Sequence, residues 1–396
     1  MRGAPARHRV LLIESGRSVG GTERVVWELA TRLPPSRFDV HLWLSPAPAL
    51  DEFAQALEAA GFVVSRVEEI DSCWDWKGML ATWRLLRSLK PDLVHVHHVW
   101  PAADRYLAML VRAAGIRRFV VTEHIVGFAH SDGQRVLKRN ELARADAVTA
   151  VCGAIADTLV RDYGVPRSRV RIVPNGADLP DDAAEAEPAR AWRDRFAATL
   201  IRPLWVVVGR LEEQKGHAVL FQSLATLRQR GLDFTLAVAG DGSLRTSLEQ
   251  EAEALGLSNR VRFVGALDDA GSLLAAADAV VLPSHWEGLP LVLLEALVRG
   301  RPVVASDVGG VSEVMEHEVH GELVPAGDVT ALADALERFH HRPDRAILFG
   351  RAGAELVRQS YTWRAVGEGF EAVYDEVLGL ATVTPEIGAG EAGGHR

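Results

Sequence analysis

Short runs of Val, Ile and Leu alternate with longer stretches of helical periodicity along most of the chain. The first series is VLLIE (10–14), FDVHLWLS (38–45), FVVSRVE (62–68), DLVHVHH (92–98), FVVTEH (119–124), DAVTAVC (146–152) and VRIVPNG (170–176). Runs that are apolar on both faces and separated by helices predict parallel strands covered on each side, a doubly wound sheet. The pattern breaks over residues 177–202, which begin acidic, carry Pro180 and Pro188 and offer no strand. A linker with room for one helix is expected there. A second α/β series follows with LWVVVG (204–209), FTLAVAG (234–240), VRFVGA (261–266), DAVVLPS (278–284), PVVAS (302–306) and GELVP (321–325). Helices are expected over about 329–340, 343–359 and 363–380, and the tail 381–396, which has no apolar pattern, is expected to be disordered. The organisation expected is therefore a domain over 1–176, a linker over 177–202 and a second α/β domain over 203–362. Two such sheets leave a cleft where the carboxyl ends of both strand sets face one ligand.

Composition narrows the class without changing this outline. The 396 residues exceed the size at which one core usually stops growing, and 48% apolar with 24% charged is ordinary for a soluble folded protein. That apolar fraction, with 35 glycines and 18 prolines showing no period, excludes disorder and collagen-like structure, and the two cysteines, Cys73 and Cys152, lie too far apart for a disulfide scaffold. No apolar run approaches the length of a membrane span, and the start MRGAPARHRVLLIE lacks the long apolar core of a signal peptide, so a cytoplasmic location is expected. Residues 1–176 carry 24 Lys/Arg against 19 Asp/Glu, leaving 20 against 34 in the remainder, so the net charge of -9 divides into +5 and -14. That slight basic excess is too small for a nucleic-acid-binding domain.

Three places carry candidate chemistry. In ESGRSVGGTERVVWELATRL, Gly20 and Gly21 precede an amphipathic helix. Backbone N–H groups there can approach an anion such as a diphosphate, or the glycines merely serve the turn. Arg210 and Lys215 stand in the loop after the first strand of the second series, where a fork and a point charge can hold a pyrophosphate, or remain simply solvated. In LPSHWEGLPLVLLEA, Glu287 lies before a helix and Glu295 within its second turn, among apolar neighbours that make an unpartnered charge costly. A carboxylate so placed suits the paired hydroxyls of a sugar. His95, His97 and His98 look like a metal cluster, but in a strand the first two share one face and the third takes the other. The sequence contains no Asp-x-Asp, and no bound metal or cofactor is expected.

The order and spacing of GGTERVV, VGRLEEQKG, AGDGSLR, EGLPLVLLEA and ASDVGGVSE resemble the retaining nucleotide-sugar glycosyltransferases of family 4 over nearly the whole chain. The stretch YTWRAVGEGFEAVYDEVL looks like that family's last helix, which returns to the first domain. The resemblance implies the GT-B fold, two Rossmann-like domains with a nucleoside diphosphate sugar in the cleft between them. It implies that Arg210 and Lys215 hold the diphosphate, that Gly20 and Gly21 meet it from the other domain, and that Glu295 binds ribose. Glu287 would face the donor sugar, flanked by Gly288 and Leu289, and His124 would stand near the transferring carbon. His97 and His98 are candidate acceptor contacts. It further implies transfer with retention to a carbohydrate or lipid-linked acceptor, without metal, by front-face attack in which the donor phosphate takes the proton. A nucleotide-sugar epimerase on the same fold and a non-catalytic nucleotide-sugar-binding protein stay open. Residues 72–90 gather Trp74, Trp76 and Trp83 with Lys77, Arg84, Arg87 and Lys90, a candidate contact with an anionic membrane surface.

Overall fold

The computed structural model describes residues 7–17, 19–70, 72–98, 106–125 and 132–380. The tail expected to be disordered, 381–396, lies outside them.

The first domain contains β1 (His8–Glu14), β2 (Phe38–Leu44), β3 (Val63–Arg66), β4 (Leu93–His98), β5 (Phe119–Glu123), β6 (Ala147–Ala150) and β7 (Val170–Ile172). Between them run α1 (Gly21–Arg32), α2 (Asp51–Ala59), α3 (Trp76–Leu89), α4 (Leu107–Ala113), α5 (Asp132–Arg144) and α6 (Gly153–Tyr163). The sheet is parallel, in the order β3-β2-β1-β4-β5-β6-β7. After α7 (Asp182–Arg195) the second domain builds β8 (Leu204–Val208), β9 (Thr235–Ala239), β10 (Val261–Gly265), β11 (Ala279–Leu282), β12 (Val303–Ser306) and β13 (Gly321–Val324). Its parallel order is β10-β9-β8-β11-β12-β13. The helices interleaved with these strands are α8 (His217–Gln229), α9 (Arg245–Ala254), α10 (Gly271–Ala276), α11 (Leu291–Val298) and α12 (Val311–Val314). The chain closes with α13 (Val329–His341), α14 (Pro343–Ser360) and α15 (Trp363–Leu378).

Every expected strand forms. In the sheet interiors the runs are buried on both faces, where the backbone is satisfied only by neighbouring strands covered with helices. Val10, Leu12, Val94, Val120 and Val148 in the first sheet, and Val206, Leu236, Val280 and Val304 in the second, have no exposed surface. Strand order reverses between β1 and β4, and again between β8 and β11. Loops at the carboxyl ends of strands beside such a reversal form the ligand crevice of doubly wound sheets.

The expected linker does hold one helix, and it is more than a connection. Asp181 caps α7 by accepting from the N–H groups of Ala183 and Ala184. The helix then docks on the second domain. Trp192 donates its indole N–H to Ser272, 3.2 Å away, Arg193 reaches the carbonyl of Ala276 and the carboxylate of Asp278, and Glu185 pairs with Arg299 at 2.7 Å.

The last helix belongs to the first domain. Val366, Phe370, Val373 and Tyr374 of α15 share one apolar cluster with Val25, Val26 and Leu29 of α1 and with Phe38. Arg37 forms ion pairs with Glu371 and Asp375. The chain thus crosses between domains twice, and the crossings touch: the Ala177 N–H donates to the carbonyl of Tyr361 at 2.9 Å.

Candidate active site

The loop after β8 is shaped by close backbone packing. Gly216 adopts φ +64, and a Cβ there would sit 2.0 Å from the carbonyl oxygen of Pro283, so only glycine lets the β8 loop lie against the β11 loop. This contact brings Lys215 to Glu287. The Lys215 ammonium lies 2.6 Å from Glu287 Oε1, which also accepts from the Ser284 hydroxyl at 2.8 Å. Glu287 has only 6% of its side chain exposed and Lys215 18%, so the pair is mostly desolvated and holds the ammonium in one place. Arg210 is exposed and bonds Gln214 at 3.2 Å, and Gln214 in turn donates to the carbonyl of Trp286 at 3.0 Å. One fixed cation and one available guanidinium therefore share the mouth of the cleft.

The other domain meets them at two points. Gly288 has no room for a side chain, since a Cβ would fall 2.0 Å from the carbonyl oxygen of His124. Asn175 of the first domain donates to the carbonyl of Leu289 at 2.7 Å. Gly21 at the start of α1 faces Leu291 of α11, with 3.5 Å between a Cβ built on Gly21 and Leu291 Cδ1. Gly20 precedes it, its N–H donating to the Glu23 carboxylate at 2.7 Å. Burial raises the pKa of Glu23 against the opposing pull of hydrogen bonds and of Arg210. Arg210, Lys215, Glu287, Gly288, Leu289, His124, Gly20 and Gly21 are thus gathered from both domains around one cleft.

Glu295 lies in the second turn of α11, half-buried, with no hydrogen-bonding or ionic partner for its carboxylate among the described residues. Burial raises its pKa against the opposing pull of Arg299 and Arg24. Arg299, four residues on, is engaged by Glu185 instead. A partly desolvated carboxylate with open lone pairs is a receptor for hydroxyl donors.

The histidines of β4 correct an expectation. His97 and His98 do not reach the cleft as acceptor contacts; they are 0% and 1% exposed. His98 points to the α5 side, where its Nε2 meets Glu141 at 3.0 Å in a buried cluster with Lys138 and Glu123. Burial disfavours a charge on His98, but Glu141 and Glu123 outweigh it and raise its pKa. His97, on the opposite face, lies with Nδ1 3.0 Å from Nε2 of His124. His124 is half-buried, and burial together with the nearby His98 brings its pKa down to about 3, so its ring is neutral.

Some participants left no local mark. Gln214, Ser284 and Asn175 are ordinary loop residues, and only the offset of four between Arg210 and Gln214 hints at their contact. Glu313 of α12 crosses the cleft to cap α6, accepting from the N–H groups of Gly153 and Ala154 at 2.6 and 2.7 Å.

Two doubly wound domains with paired reversals, facing each other across a cationic cleft, make up the GT-B architecture. Residues 190–355 match the family Glycosyl transferases group 1, and residues 19–180 match Glycosyltransferase Family 4. The chain is 30% identical over 365 residues, 87% of its length and 91% of the relative's, to the GDP-mannose-dependent alpha-(1-6)-phosphatidylinositol monomannoside mannosyltransferase of Mycobacterium tuberculosis. It is 27% identical over 331 residues to the UDP-Gal:alpha-D-GlcNAc-diphosphoundecaprenol alpha-1,3-galactosyltransferase of Escherichia coli, covering 81% of this chain and 84% of that one. The crystal structure of Anabaena Alr3699/HepE in complex with UDP superposes with a TM-score of 0.79 at 21% identity, over 93% of this chain and 100% of that chain, and shares the fold. The chain belongs to the family 4 glycosyltransferases and is a glycosyltransferase.

Proposed function

We propose that the enzyme transfers a sugar from a nucleoside diphosphate sugar to a carbohydrate or lipid-linked acceptor, with retention at the anomeric carbon and without a metal ion, in the assembly of a polysaccharide or glycolipid. The observation that carries this reading is the meeting of Arg210 and the Lys215–Glu287 pair with His124 across one cleft. Departing diphosphate gains negative charge, and cations already held in place stabilise it without reorganising. Glu295 then accepts from the ribose hydroxyls. His124 and Glu287 border the transferred sugar, and the donor's own phosphate oxygen takes the acceptor proton. The relatives named above use UDP- and GDP-linked sugars, which supports a donor of this class.

The deciding experiment incubates the protein with UDP-, GDP- and ADP-sugars, with and without glycan and polyprenyl-diphosphate-sugar acceptors. Acceptor-dependent release of nucleoside diphosphate, undiminished by EDTA and giving an anomeric configuration unchanged from the donor, is expected. Donor interconversion without acceptor would favour an epimerase, and loss of activity in EDTA restored by magnesium or manganese would overturn metal independence.

Glu295→Gln is expected to weaken binding of free nucleoside diphosphate in calorimetry, by about tenfold, the scale of one lost hydrogen bond to a charged group. Glu287→Gln is expected to keep that binding and lower turnover. Equal affinity in wild type and the Glu295 variant would defeat the ribose assignment.

A lipid-linked acceptor also gives meaning to the exposed edge of α3. Trp74 and Trp76 are 86% and 63% exposed, Lys77 lies 5.6 Å over the Trp76 ring, and Arg84, Arg87 and Lys90 are exposed. Trp83 drops out of this set: it is half-buried, donates to the carbonyl of Ala113 at 3.2 Å and is covered by Arg87. None of the described helices is long and apolar enough to cross a membrane, and the surface proposed here would make a peripheral contact at the inner face. Wild type should co-sediment with anionic liposomes at low salt, while the variant with Arg84, Arg87 and Lys90 changed to Glu should stay in solution. Equal sedimentation of the two would remove the membrane reading.

A further inference from the structure

We propose that His97 is a positioning residue for His124, holding its imidazole in the neutral form that keeps the proton on Nδ1 and offers it to the cleft. The inference rests on the placing of His124 beside the transferred sugar, and it adds which way that ring can act. His97 Nδ1 and His124 Nε2 are 3.0 Å apart, with the rings at 24° and their centroids 5.3 Å apart. One of these nitrogens donates and the other accepts. The second nitrogen of His97, Nε2, is buried and has no hydrogen-bond partner among the described residues. Were its proton there, a buried N–H would be orphaned, which is the rarer defect in folded proteins; an unused lone pair is the milder one. His97 therefore carries its proton on Nδ1 and donates it. His124 Nε2 accepts, which leaves the single proton of a neutral His124 on Nδ1.

Burial holds the ring of His124 neutral, since protonating it there is opposed by desolvation and by His98. His97 is held in its turn. Its ring lies 4.2 Å from that of His95 and 6.0 Å from that of Phe370. His95 is fixed at both nitrogens, by the Tyr374 hydroxyl at 2.7 Å and by Thr122 Oγ1 at 2.6 Å. Tyr374 and Phe370 lie on α15, so the orientation of a cleft residue is traced through three rings to the helix that returns from the second domain. The consequence is chemical. With Nε2 occupied and Nδ1 protonated, His124 has no lone pair with which to take a proton; it donates a hydrogen bond to an oxygen of the transferred sugar.

The test is long-range 1H–15N spectroscopy of protein labelled on its histidine rings, with the His124 signals assigned by their loss in His124→Gln. A protonated Nδ1 and a bare Nε2 on His124 are expected in the wild type. In His97→Leu, the pattern should become a mixture of both tautomers, with kcat about tenfold lower and KM for the donor little changed. His97→Asn, whose amide can donate toward the same nitrogen, should restore both. The proposal is overturned if wild-type His124 carries its proton on Nε2, or if folded His97→Leu keeps both the spectrum and kcat of the wild type. Should His97→Leu fail to fold, the wild-type spectrum decides alone. Full activity in His124→Gln would instead defeat the role of His124 in the reaction, while the spectrum still reports whether His97 sets its tautomer.

Discussion

Lys215→Ala and Arg210→Ala should each lower turnover by ~10²–10³, the loss typical of one preorganised electrostatic contact to developing charge. The two variants differ in how they fail. Arg210 is exposed and bonds only the side chain of Gln214 among the described residues, so its removal deletes a cation and little else. Lys215 is the ionic partner of Glu287. Without the ammonium, a largely buried carboxylate remains beside the proposed diphosphate site, with only Ser284 and Gln214 to support it among the described residues. The Lys215 variant should therefore be the slower of the two, and its remaining activity should be improved by adding Glu287→Gln. Steady-state kinetics, with circular dichroism to confirm folding, reads both effects. Near-normal turnover in both single variants would remove the proposed diphosphate site.

The second large effect lies away from the cleft. Lys138→Ala should destabilise the protein by about 3–5 kcal/mol, because it breaks a buried charge cluster from one side. Lys138, Glu123, Glu141 and His98 are all below 5% exposed. The ammonium pairs with Glu123 and lies 3.1 Å from Glu141, whose other oxygen meets His98. Removing the lysine leaves two buried carboxylates facing one imidazole. The cluster docks α5 to the ends of β4 and β5, so the denaturant midpoint should fall with the cooperative transition intact. A loss below about 1 kcal/mol, the scale of an exposed ion pair, would mean that water reaches the cluster.

The same cluster shows where sequence reading ran out. Alternation along β4 correctly separates His97 from His98, yet it identifies a face and not its occupant. Glu141 is 43 positions from His98, and nothing local announces their pairing. Lys215 and Glu287 were each legible as charged loop residues at the carboxyl ends of strands, but their contact spans 72 positions and depends on Gly216 admitting the Pro283 carbonyl. The strands were legible because burial on both faces writes a continuous apolar run. A helix within 177–202 was expected, but the docking of α7 on the second domain was not legible. Its acidic start and internal Pro188 read as a connection, and an interior proline costs a helix about 3 kcal/mol. Tertiary contacts through Trp192, Arg193 and Glu185 override that local preference.

The returning helix has a consequence for how the chain is made. The first domain is translated first, but its apolar face on α1 and β2 stays uncovered until Phe370 and Tyr374 arrive on α15, roughly 200 residues later. At about 5–20 residues per second, that interval is on the order of 10–40 s. During it, Val25, Leu29 and Phe38 form an open surface, and His95 lacks its tyrosine. The domain born first is the one completed last, so a chain ending after α14 would have every strand and helix of the second domain beside an unfinished first one.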